Sequence, residues 1–144
     1  MRSSLQAYQK VNRESNLVAA DPHTVILMLF DGILESISVA SGAIERKDLS
    51  TKSVKITKAV NILRSLQDSL DNESEPEISD NLFQLYDYCV DSLMDASVSL
   101  NLNKLNEVVE LLKPLRDAWR NMPESGKQQG IVMINTRDQA QAAI

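Results

Sequence analysis

Histidine and cysteine each occur once in this chain, as His23 and Cys89. One histidine excludes any multi-histidine metal site. It also excludes the di-iron centre of ferritin-like bundles, which needs Glu-x-x-His on two helices; here Ala20 stands three residues before His23. One cysteine excludes an internal disulfide, as suits a reducing compartment. Aromatic residues make up only 4% of the chain, and glycine and proline occur four times each, so Leu, Val, Ile and Ala carry the apolar content and favour helices over sheet. A glycine-rich phosphate loop is missing, because Asp31-Gly32 falls within a helical stretch and Ser125-Gly126 within a polar tail. Cationic excess is missing too: 15 Lys and Arg against 20 Asp and Glu leave a net charge of −5, which argues against a nucleic-acid or anionic-membrane binder. The first residues carry neither the basic cluster nor the apolar core of a signal peptide, and none is predicted. The longest uninterrupted apolar run falls far short of the ~20 residues of a membrane span. His23 reads as a solvated or locally hydrogen-bonded side chain, and Cys89 as a small buried hydrophobe rather than a nucleophile. No catalytic residue, cofactor or metal is predicted.

What the chain does have is a run of six apolar residues, Val25-Ile26-Leu27-Met28-Leu29-Phe30, at the start of a helix. Asp21 stands at its N-cap position and Pro22 at the first helical position, where a missing N–H costs nothing. Six successive residues turn right round a helix, so this stretch needs apolar neighbours on more than one side. Periodicity predicts four helices, over about 22–47, 51–71, 78–101 and 104–121. The first carries Ile26, Phe30, Ile33, Ile37, Ala40 and Ile44 as its stripe, widened by Val25, Leu29 and Leu34. Ser50 or Thr51 is the expected cap of the second, which carries Ile56, Ala59, Ile62, Leu63, Leu66 and Leu70 and opposes to them a basic, solvated face of Lys52, Lys55, Lys58 and Arg64. The linker 71–77 is acidic, with Pro76 as its breaker. The third helix is striped by Leu82, Leu85, Tyr86, Cys89, Leu93, Ala96 and Leu100, with Phe83, Tyr88, Val90 and Met94 falling outside that stripe. Asn103 is the expected cap of the fourth, which Pro114 interrupts and bends.

Helices of this length joined by short links predict an all-α fold, an antiparallel up-down four-helix bundle over 21–122. Residues 1–20 form a short N-terminal helical cap and leash, with Leu5, Tyr8 and Val11 spaced at i, i+3, i+6. Residues 123–144 are a C-terminal tail, polar apart from Ile131-Val132-Met133-Ile134. Two readings of the apolar surplus stay open: the first helix is central and Leu27 and Met28 fill the bundle, or a groove remains that receives an amphipathic helix of another protein. On the second reading the candidate partner-contacting residues are Leu5, Tyr8, Val11, Leu27, Met28, Phe83 and Tyr88. The N-terminal turn would then lie in the empty groove and leave when a partner arrives.

An ordered set of residues resembles one known family. Ala7-Tyr8, Asp21-Pro22-His23, Met28-Leu29-Phe30-Asp31-Gly32, Leu66 with Leu70-Asp71, Glu77-Ile78, Asn81-Leu82, Leu85-Tyr86-Asp87-Tyr88, Leu111-Leu112 and Ala118-Trp119 match the spacing of the flagellar secretion chaperone FliS family over about residues 5–121. The chain departs from that pattern at Phe30, where tyrosine is commoner, at Ser97, where asparagine is frequent, and at Pro114; the tail after Met122 finds no counterpart. The resemblance implies a non-enzymatic chaperone of the bacterial cytosol. It would bind the C-terminal helical segment of flagellin, prevent premature polymerisation and pass its client to the flagellar export gate. In some members contact with an anti-sigma factor is also implied. By the same resemblance, Tyr8 belongs to an N-terminal cap that flagellin displaces. The alternative function is a regulatory or self-associating helical interaction module.

Overall fold

The computed structural model describes residues 21–127 except 125, so Leu5, Tyr8, Val11 and the apolar run 131–134 lie outside the described residues. Four helices follow one another: α1 (Pro22–Glu45), α2 (Leu49–Asp68), α3 (Pro76–Ser99) and α4 (Leu102–Arg120). Their boundaries fall within three residues of the expected ones. Beyond α4, Glu124, Gly126 and Lys127 are also helical.

The helix starts follow local capping chemistry, and three of them correct the expectations. Asp21 caps α1 as expected, its Oδ1 accepting from the Thr24 N–H at 2.9 Å and its Oδ2 from the Thr24 hydroxyl at 2.8 Å, with Pro22 in the first turn. The cap of α2 is Asp48, not Ser50 or Thr51; its carboxylate accepts from the Thr51 N–H. The cap of α4 is Asn101, not Asn103, whose own N–H donates to it. Pro76 opens α3 rather than ending the linker, because φ fixed near the helical value suits the first turn. The acidic linker is itself ordered: the Asp71 carboxylate accepts from the Glu73 and Ser74 backbones and the Ser74 hydroxyl, and its carbonyl accepts from Ser79 Oγ at 2.6 Å. Lys47 and Leu100, just past the ends of α1 and α3, adopt left-handed backbone with φ of 61° and 59°, a conformation that usually selects glycine.

Burial pushes the Asp21 carboxyl up, but the two bonds from Thr24, with the charges of His23 and Lys127, outweigh it and hold the group below the usual carboxylate range. A group depressed in the folded state stabilises above its ordinary pKa, and that contribution is lost as pH falls through the depressed value. Asp21→Asn keeps the cap but cannot be protonated. Urea titrations between about pH 6 and pH 3 should therefore show the wild type losing ground to the variant as acid is added. A constant difference would remove Asp21 from the acid response.

Side-chain pairs set the topology. Lys52 meets Ser97, Arg64 meets Asp87 and Gln67 meets Phe83, so numbers rise along α2 as they fall along α3. Tyr88 with Glu107 and Asp95 with Lys104 give the same sense to α3 and α4. His23 with Trp119 and Asp31 with Arg116 do so for α4 and α1. Gly32 and Ile62, about equally far from the α1–α2 turn, complete the ring; a Cβ at Gly32 would sit 3.3 Å from Ile62 Cδ1, so glycine lets these two helices approach closely. Each helix packs on its two neighbours in the order α1–α2–α3–α4.

Inside the ring lies one core, containing Ile26, Phe30, Ile33, Ile37 and Ala40 of α1, Ile56, Ala59, Ile62, Leu63 and Leu66 of α2, Tyr86, Cys89, Val90, Leu93 and Ala96 of α3, and Leu105, Val108 and Leu112 of α4. By length and composition α1 could cross a membrane, which its shorter uninterrupted runs did not suggest; its most apolar stripe is spent on this core, and Asp31 and Glu35 interrupt the rest. Pro114 leaves α4 unbroken. The proline lies on the exposed side, so water can serve the Glu110 carbonyl it leaves without a helical donor.

Lys52 is not part of a solvated basic face. It is buried, and its Nζ donates to the Ser97 carbonyl at 2.7 Å and the Ser97 hydroxyl at 3.3 Å. The ammonium thus serves the last turn of α3, where carbonyls lack helical donors and positive charge is favoured. Lys52→Met keeps the stem but leaves that carbonyl bare, and should lower the unfolding free energy by about 1–3 kcal/mol, read from the urea midpoint. An unchanged midpoint would mean that water replaces the ammonium.

Candidate partner-binding surface

The six-residue apolar run of α1 is not left open. Ile26 and Phe30 are buried, while Val25, Leu27, Met28 and Leu29 are half-buried. Leu27 and Met28 do not fill the bundle: neither is among the core residues or those packed against them, and α1, like every other helix, packs on two neighbours. The exposed surplus lies elsewhere, mainly on α3: Phe83 is 44%, Tyr88 51%, Met94 56% and Val98 86% exposed. Leu49, Val54, Ile78 and Leu100 add to it from helix ends and from the outer side of α2.

Neighbouring contacts place these residues on two flanks of α3. Phe83 and Asp87 border α2: the Phe83 carbonyl accepts from Gln67 Nε2 at 2.9 Å, and Asp87 accepts from Arg64 at 2.9 Å. Arg64, which also donates to Gln67 Oε1, holds the Asp87 carboxyl below its usual range. Phe83, Val90, Met94 and Val98 continue along this flank at i, i+7, i+11 and i+15, a spacing that returns to one side of a helix. Tyr88 sits on the opposite flank, against α4, where its hydroxyl donates to Glu107. That bond and the Glu107 charge push the Tyr88 pKa up.

The described candidates from the sequence therefore do not line one groove. Leu27 lies one turn from both His23 and Asp31, which touch α4, and so belongs to the α1–α4 side. Met28 lies on the side of α1 opposite the buried Ile26, Phe30 and Ile33 stripe, and so belongs to its outer face. Phe83 borders α2 and Tyr88 borders α4. Leu5, Tyr8 and Val11 lie outside the described residues. Sequence reasoning sets Met94 off the stripe without counting it as a contact residue and passes over Val98, although their spacing from Phe83 and Val90 carries the signal.

His23, expected in water or in a local bond, is instead buried at the α1–α4 corner. Its Nε2 lies 2.5 Å from the Trp119 carbonyl, and because a carbonyl can only accept, the Nε2–H donates. The two rings also pack, with centroids 5.1 Å apart and planes inclined by 46°. Beside them Arg116 bridges Asp31 at 2.8 Å and Asp117 at 2.7 Å, with Arg120 at 3.8 Å from Asp31. Cys89 is the buried hydrophobe expected; burial, helped by the Glu107 charge, pushes its thiol up to about 12, so it holds its proton. Among the described residues, no three His, Cys, Asp or Glu side chains converge as metal ligands would.

A closed core with apolar side chains left on the outside of α3 suits binding rather than chemistry, and comparison with known proteins agrees. The family described as "Flagellar protein FliS" matches residues 4–126. The flagellar secretion chaperone FliS of Vibrio cholerae is 35% identical over 123 residues, covering 85% of this chain and 90% of that protein. The protein of that name in Escherichia coli is 35% identical over 116 residues, covering 80% and 85%. The one in Bacillus subtilis is 31% identical over 122 residues, covering 85% and 87%. The chain belongs to the FliS family, a family of flagellar chaperones and not of enzymes.

Proposed function

We propose that the protein is a cytosolic export chaperone that binds the C-terminal helical segment of flagellin, prevents premature polymerisation and aids delivery to the flagellar export gate. The observation that carries this reading is the set of large apolar side chains standing in water on α3, beside a core that needs none of them. Family resemblance supplies the client. A segment disordered in the free subunit folds as it docks, and buried apolar area offsets its ordering entropy. Residues 1–20, with Leu5, Tyr8 and Val11, serve as a tethered cover that the client displaces, since a tether gives high effective concentration. An anti-sigma factor is a further partner implied by some members of the family.

Co-expression with flagellin, followed by limited proteolysis of the purified complex, tests the assignment. The C-terminal segment of flagellin should become protected, and titration should show the negative heat-capacity change of apolar burial. Absence of any complex at micromolar concentrations would remove the proposal.

A further inference from the structure

We propose that the exposed flank of α3 selects an amphipathic helix whose apolar stripe is bordered by lysine and arginine. The proposal rests on reading α3 as the docking surface and adds the charge of what docks there. Phe83, Met94 and Val98 form its apolar row, with Val90 as a buried floor between them. From Phe83 to Val98 is 15 residues of helix, about 22 Å, which a partner of about four turns would cover.

Charge decides the occupant. Between Pro76 and Ser99 the acidic residues are Glu77, Asp80, Asp87, Asp91 and Asp95, and no lysine or arginine occurs. Arg64 pairs with Asp87 and Lys104 with Asp95. Among the described residues no cation pairs with Glu77, Asp80 or Asp91. Asp91 is exposed one turn from Asp87, Met94 and Asp95, so an unmatched carboxylate adjoins the middle of the apolar row. A helix seated on Met94 and Val98 brings its bordering residues beside this carboxylate, where cations are attracted and anions repelled. A second copy meeting this face with its own α3 would set like charges against each other. The chain's own apolar run 131–134 is only four residues long, too short to cover the row.

Two synthetic helical peptides of about 18 residues test the inference on the full chain by fluorescence anisotropy. Both carry the same leucine stripe, one bordered by lysine and the other by glutamate. The lysine peptide should bind at least tenfold tighter, with the difference shrinking as salt rises from about 50 to 500 mM. Asp91→Lys should weaken it about tenfold with an unchanged melting curve, and Met94→Glu should abolish binding. Equal binding of both peptides, no binding of either, or indifference to Asp91→Lys would overturn the inference. So would a dimer that Met94→Glu dissociates. Flagellin capture is scored separately: a flagellin complex without charge discrimination sinks this inference alone, and peptide discrimination without flagellin capture sinks the client assignment alone.

Discussion

Phe30→Ala should lower the unfolding free energy by about 3–5 kcal/mol, the cost of emptying a large site inside a packed core. The ring is 1% exposed and belongs to the cluster that all four helices share. No single helix can close over the space without moving away from its other contacts. Domains of this size are stable by about 5–15 kcal/mol, so the loss takes a large share of the total and lowers the melting temperature by about 10–25 °C. Urea titration should give a lower midpoint with an unchanged slope. Phe30→Leu, which keeps most of the volume, should cost distinctly less. A small loss for alanine would mean that this site is not the centre of the bundle.

The second large effect concerns binding without stability. Phe83→Glu and Met94→Glu change side chains that are about half exposed and outside the core, so their melting curves should stay within about 1 kcal/mol of the wild type. If α3 receives the client, each should weaken its capture by about 30-fold or more, as when an apolar anchor is replaced by a buried charge. Tyr88→Phe is a useful companion, because it removes only the hydroxyl bonded to Glu107. Client affinity unmoved by either glutamate would place the binding surface away from this flank.

Much of the bundle was legible in the sequence because its apolar spacing is regular. All four helices, the Asp21 cap and the buried Cys89 followed from periodicity and local chemistry. The caps at Asp48 and Asn101 were missed for one reason: α2 and α4 each begin on a leucine off the main stripe, Leu49 exposed and Leu102 half-buried, so the periodic pattern starts late. Lys52 and His23 were misjudged because their partners, the Ser97 and Trp119 carbonyls, are 45 and 96 residues away. Periodicity identifies which face of a helix is apolar but not which neighbour a polar residue will meet. The binding surface was partly legible for a related reason. Phe83 and Tyr88 stood out as apolar residues off the stripe, but that they border different helices depends on packing.

The contact between His23 and Trp119 joins the first turn of α1 to the last turn of α4, and Trp119 is the only tryptophan in the chain. The two residues are 96 apart in sequence, and the packing of the helices between them brings their rings together. Intrinsic emission from this protein therefore reports whether the circle of helices is shut, and a slackened corner will dim or shift that light before the far end of the molecule loosens.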